Sequence, residues 1–173
     1  MRNILNTIAV CAAALIAAVS AGCNTQGCTD NRSALPLAGF YDAAEGRSLT
    51  LDSLLIHGIG APGDSAVATP GQKISEVYLP MCSTAESTSR CIAYKWADTD
   101  TTLLNDTITF AYTAQPFLAG DECGAMYNYR IRRVDYTRHI VDSVAVVDSL
   151  ITNNNLQQIR IYFRTEQSEN PQP

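Results

Sequence analysis

Histidine is almost missing from this chain. Its 173 residues include two, His57 and His139, and neither belongs to an H-x-H or H-x-x-x-H pair that would present two imidazoles to one ion. The G-x-S-x-G turn that lifts a nucleophilic serine to a surface is absent as well. The motif signatures of metalloenzymes and hydrolases are therefore missing, and the expectation is a non-enzymatic protein with no catalytic residue, metal or cofactor, a hydrolase with a cryptic site being the third reading after protein binding and glycan or anion binding. Basic residues are the second shortage. Twelve Lys and Arg stand against 17 Asp and Glu, a net charge of −5, and a surface of that sign repels the phosphates of nucleic acids.

A long apolar run is the third shortage. The longest, Ile4 to Val19, is interrupted at Asn6 and Thr7, and its unbroken part of ~12 residues falls short of the ~20 that span a bilayer. Arg2 precedes it and Val19-Ser20-Ala21-Gly22-Cys23 follows it, which is the layout of a secretory signal. Small residues ending in cysteine read as a lipoprotein processing site, with Ser20 where such sites usually carry leucine. Residues 1–22 are expected to be removed and the Cys23 thiol to carry a diacylglycerol. With two or three acyl chains the attachment would be effectively permanent, each buried methylene contributing ~0.8 kcal/mol.

Cysteine usage fits an exported protein. Cys11 leaves with the signal and Cys23 takes lipid, so Cys28, Cys82, Cys91 and Cys123 remain, an even number that allows three pairings. No C-x-x-C knuckle recommends zinc. The preferred pairing joins Cys82 to Cys91 across one strand-turn-strand unit and Cys28 to Cys123 between the start and middle of the domain. Loop closure gives about 2.7 and about 4.7 kcal/mol for the two bridges.

Residues 23–34 are polar and aperiodic, a lipidated tether into a domain expected over 35–164, with a disordered polar tail over 165–173. Between these limits short alternating stretches are separated by breakers. Ile92, Tyr94 and Trp96 alternate, as do Ile108, Phe110 and Tyr112, then Tyr127, Tyr129 and Ile131, and finally Ile159, Ile161 and Phe163; each alternation is the period-two signature of a half-buried strand. Gly46, closing Asp42-Ala43-Ala44-Glu45, is expected to supply a positive φ. Gln115 to Glu122 reads as a break, and Met81 to Arg90 as a loop. About eight strands and no amphipathic helix predict an all-β, antiparallel β-sandwich, immunoglobulin-like or related.

The candidate binding patch lies in Tyr127-Asn128-Tyr129-Arg130-Ile131-Arg132-Arg133. On a strand Arg130 and Arg132 share a face, where guanidinium forks suit carboxylate, phosphate or sulfate. The competing expectation is an exposed sheet face whose arginines pair with neighbouring carboxylates while the tyrosines pack inward. Asp98, Asp100, Asn105 and Asp106 resemble pieces of a calcium loop, but Leu103 and Thr109 occupy the glycine and glutamate positions, leaving a solvated acidic turn.

Cys23 followed by Cys28, the strand end Phe40-Tyr41-Asp42, Leu54-Leu55-Ile56-His57-Gly58-Ile59-Gly60, Asp106 to Tyr112, Cys123-Gly124 and Ile159 to Phe163 together resemble a family of small Bacteroidota lipoproteins known only as a domain of unknown function. The resemblance implies a location and a fold without an activity. Asn24-Thr25-Gln26-Gly27 carries no acidic run of the kind associated with surface export in Bacteroidota, so an outer-membrane lipoprotein facing the periplasm is expected. Its partner would be a periplasmic or outer-membrane protein. A glycan- or anion-binding module using Arg130, Arg132 and the nearby tyrosines is the alternative.

Overall fold

The computed structural model describes residues 34–60, 65–94, 105–118 and 125–165. The signal, Cys23, Cys28, Cys123 and the segment 166–173 lie outside these residues. The fold is all-β. Ten strands run in chain order as β1 (Leu37–Asp42), β2 (Leu54–Gly58), β3 (Ala66–Ala68), β4 (Glu76–Tyr78), β5 (Ser87–Tyr94), β6 (Asp106–Leu118), β7 (Ala125–Tyr136), β8 (Val141–Val146), β9 (Leu150–Ile151) and β10 (Gln157–Phe163). They form a four-stranded sheet, β4-β1-β10-β8, and a six-stranded sheet, β3-β2-β5-β6-β7-β9.

Alternation decides which side chains meet between the sheets. Ala38 and Phe40 of β1 and Ile159, Ile161 and Phe163 of β10 face Ile56, Ile92, Ile108, Phe110 and Tyr112 of the other sheet, forming one buried cluster. Phe40 and Phe163 meet edge to face with ring centroids 5.4 Å apart, the geometry that ring quadrupoles favour. Ala34, expected as the end of the tether, is already part of this core. Thr165, expected in the tail, donates its hydroxyl to Asp42. Gly46 has φ +67°, as its place after the Asp42 turn requires.

The pairing differs from the expected all-antiparallel pattern at one place. β1 and β10 run parallel, Phe40 opposite Ile161, which no short turn can connect. Here the whole six-stranded sheet serves as the crossover. A register shift between Leu37 and Ala38 accompanies this pair, and it turns Gln158 inward. Gln158 is 1% exposed, accepts the Leu37 N–H at 2.9 Å and donates to Asn154 at 2.9 Å. Strict alternation had placed it outside with Arg160 and Tyr162.

β5 begins at Ser87 rather than after Arg90, and β6 continues through the expected break to Leu118. The continuation of β6 has a backbone cause. β5 pairs with β6 only from Asp106 to Ala111, so the rest of β6 pairs with β7 alone. The Tyr112 N–H points toward β5, donating to the Glu86 carbonyl at 2.9 Å. By two-residue alternation the backbone at Ala114, Pro116 and Leu118 faces the same side, where β5 has ended. A proline there removes no ladder hydrogen bond.

The cysteine pairing is corrected for one pair: no disulfide joins Cys82 to Cys91. The Cys82 backbone is docked on the inward-facing Tyr112 hydroxyl, which also lies 2.7 Å from Thr88 Oγ1. Cys91 stands three residues beyond Thr88, on the opposite face of β5. Cys91 is thus roughly 10 Å along the strand from Thr88 and turned to the other face, away from the side on which the Cys82 backbone is held. Cys82 is exposed, with its sulfur 3.3 Å from Thr84 Oγ1, and hydrogen bonding by Thr84 draws the thiol below its ordinary value. Iodoacetamide added to the folded protein without reductant should therefore alkylate Cys82, as read by peptide mass mapping. An unmodified Cys82 would mean that it is oxidised.

Candidate binding surface

β7 carries the arginines singled out from sequence. Tyr129 is buried and Tyr127 packs against the core, while Arg130, Arg132 and Arg133 are exposed. The tyrosines therefore offer no stacking surface beside the arginines. A bulge opposite Ala111 and Tyr112 places Arg132 and Arg133 consecutively on the outside. Arg132 lies 3.7 Å from Glu86 and donates to the Tyr112 carbonyl at 3.1 Å. Arg133 pairs with Asp135 at 2.8 Å. Arg130 makes no ion pair among the described residues. These exposed pairs are worth ~0–1 kcal/mol each, and two of the three guanidinium groups are already engaged.

A second cluster was not visible as a motif. Three inward side chains reach three successive carbonyls of the chain leaving β4. Arg90 donates to the Pro80 carbonyl, Tyr129 points its hydroxyl at the Met81 carbonyl from 3.5 Å, and Tyr112 donates to the Cys82 carbonyl at 2.8 Å. Tyr112 and Tyr129 hold each other edge to face at 5.3 Å. Burial raises the Tyr129 phenol, with Tyr112, Cys82 and Tyr127 adding to the shift, so it remains a donor. The cluster straps residues 80–82 across one end of the core.

At the start of β6 Asp106 anchors the passage from β7 into β8, one of the connections at which the chain changes sheets. It is 0% exposed, whereas the sequence suggested a solvated turn. Oδ1 accepts from Thr137 Oγ1 at 2.6 Å and from the His139 N–H at 2.9 Å, and lies 3.0 Å from His139 Nδ1. Oδ2 accepts the N–H groups of Ile140 at 2.8 Å and Val141 at 2.7 Å. Spacing could not reveal this, because the donors, three backbone N–H groups and the Thr137 hydroxyl, are more than 30 residues away. His139 is thus paired with a carboxylate, but its other ring nitrogen meets no hydroxyl or thiol among the described residues. His57 lies opposite Cys91 on β2, and no group of three metal-ligating side chains occurs among the described residues.

The outer face of the four-stranded sheet carries a third feature. Tyr41 and Tyr162 are register partners with centroids 5.6 Å apart, and the Arg160 guanidinium lies 5.2 Å above the Tyr41 ring. Gln157 accepts the Tyr41 hydroxyl at 2.7 Å and lies over Gly39, where an added Cβ would come within 2.0 Å of its amide.

A family model described as "Family of unknown function (DUF6452)" matches residues 53–163. The chain belongs to DUF6452. No curated protein or solved structure matches it significantly. The DUF6452 match covers the six-stranded sheet, β4, β8 and β10, with the Asp106 anchor and the 80–82 strap. It leaves out β1, which lies between β4 and β10.

Proposed function

We propose that this DUF6452 protein is a lipid-anchored component of a bacterial cell envelope, of the Bacteroidota type, whose β-sandwich is a non-enzymatic module for binding a protein partner. The Val19–Cys23 stretch supports the anchor, as does an ordered core that begins at Ala34, shortly after it. The observation that carries the binding role is the edge of β6 beyond β5. Thr113 to Leu118 has no strand on that side among the described residues, and Leu118 is 71% exposed. Unpaired backbone N–H and C=O groups recognise an extended segment of another chain by strand addition, with side chains setting specificity. The partner fitting this edge is an extended segment of a periplasmic or outer-membrane protein.

Incorporation of an alkyne-labelled fatty acid should mark the wild-type chain and disappear in Cys23→Ser. Crosslinking in intact cells should then recover a reproducible partner from the wild type, with at least a fivefold lower yield from Ala114→Pro. Equal yields, or no reproducible partner, would remove the binding role. The alternative of anion or glycan binding rests on Arg130, the one unpaired guanidinium of the β7 trio among the described residues. Loss of binding on a glycan array in Arg130→Ala, with crosslinking unchanged, would favour it.

A further inference from the structure

The two ends of the four-stranded sheet differ in chemistry. β1 and β10 both begin at one of them, with Leu37 opposite Gln157, and β4 and β8 both finish there, with Tyr78 opposite Leu37 and Val146 opposite Ile159. Segments 34–38, 77–81 and 146–157 make up this end, and Asp148 is the one charged side chain they contain. The other end, where Asp42 and Val141 flank Phe163, carries Glu45, Arg47, Arg138, Asp142 and Arg164. Three of the five large hydrophobic side chains exposed among the described residues lie at the nearly uncharged end: Tyr78 at 39%, Val147 at 55% and Leu156 at 64%. The Tyr78 hydroxyl lies 3.5 Å from Asn155, next to Leu156, and the Val147 N–H donates to the Gln158 carbonyl at 2.7 Å. With β1 and β10 between β4 and β8, the three side chains spread over roughly 14 Å, a cluster rather than scattered single residues.

The chain enters the domain at this same end. Ala34, three residues before β1, is 2% exposed, and Cys23 precedes it by 11 residues, at most ~40 Å of chain. That length ties the domain close to a bilayer but lets either end of the sheet face it. We infer that the Tyr78, Val147 and Leu156 end rests on the bilayer, its side chains entering the headgroup region of zwitterionic phospholipids. The inference rests on the proposed lipid at Cys23 and gives the domain one orientation on its tether. Tyrosine favours such a boundary, its ring in the apolar layer and its hydroxyl in the polar one. The three segments hold no Lys or Arg, which selects zwitterionic headgroups over the anionic ones that basic clusters recognise.

The test places one tryptophan in the full-length protein, reconstituted in phosphatidylethanolamine–phosphatidylcholine vesicles with or without bromine on the acyl chains near the headgroup. Trp96, the one tryptophan of the chain, is replaced by phenylalanine. Leu156→Trp, Val147→Trp or, at the opposite end, Ala44→Trp is then added. Brominated vesicles should quench Leu156→Trp and Val147→Trp about twofold or more, at the depth of ~5–10 Å to which amphipathic surfaces sink, and leave Ala44→Trp unchanged. Two variants at the apolar end keep the reading independent of whether either one folds. Unquenched fluorescence in both, or equal quenching in Ala44→Trp, would overturn the inference. So would a blue-shifted Leu156→Trp emission in the Cys23→Ser background without vesicles, which would assign this end to a second copy of the chain. Flotation with the same vesicles reads the anchor separately, wild type rising and Cys23→Ser staying behind. Protein that floats unquenched removes the orientation alone; protein that does not float removes the anchor and the orientation with it.

Discussion

A chain beginning at Ser53, the first residue of the DUF6452 match, is expected not to fold. The family match ends at Phe163, the last residue of β10, so the matched segment contains one of the two strands in the parallel pair but not the other. β1 is interior, bonded to β10 along one edge and to β4 along the other. Its removal takes Ala38 and Phe40 from the core and leaves the three residues of β4 without a strand partner among the described residues. Phe40→Ala alone should cost about 3–5 kcal/mol, against ~5–15 kcal/mol for a whole domain. Losing the strand removes more than this and exposes a parallel edge. Circular dichroism with urea titration should show a cooperative transition for the full-length protein, one at lower urea for Phe40→Ala, and none for the chain starting at Ser53. A cooperative transition with an undiminished m-value in the shortened chain would show that β1 is dispensable.

The alternating stretches were the legible part of this fold. Ile108, Phe110 and Tyr112, and likewise Ile159, Ile161 and Phe163, all reach the core as their spacing indicates, because a strand with one buried face must repeat every two residues. Gln158 and Arg133 show where that rule ends. Each lies beside a bulge, and one extra residue changes which side chains face the core. The Arg90 strap and the Asp106 anchor were illegible for a different reason. Their partners are backbone carbonyls and N–H groups brought close by tertiary folding, and backbone groups leave no composition signal. Arg90 sat in a presumed loop because the cysteine spacing suggested a stapled turn, whereas β5 had already begun at Ser87.

Asp106→Asn should destabilise the protein by about 3–5 kcal/mol at pH 7, the usual cost of removing one side of a buried charged interaction. Its amide keeps the shape of the carboxylate but has one acceptor oxygen, and its NH2 would face N–H donors at the other position. The corner from Thr137 to Val141 would be left with unsatisfied groups, and β8 would lose its fixed entry into the four-stranded sheet. The pH dependence separates this account from a packing defect. Burial by itself raises the Asp106 carboxyl, but hydrogen bonds from Thr137, Val141, His139 and Ile140 outweigh it and hold the group below the ordinary carboxylate value. The unfolded chain therefore takes up this proton first as pH falls. The stabilisation is complete above the unfolded value of ~4 and is lost as pH drops through the lower folded value. Urea unfolding of the wild type and Asp106→Asn at intervals from pH 7 to 3 should give a gap that is widest at neutrality and narrows in acid. Repeating the series with His139→Gln in both backgrounds removes the imidazole that lies 3.0 Å from Oδ1, so that any remaining slope belongs to the carboxylate. A gap that stays constant across the range would assign the loss to packing and reject the charged anchor.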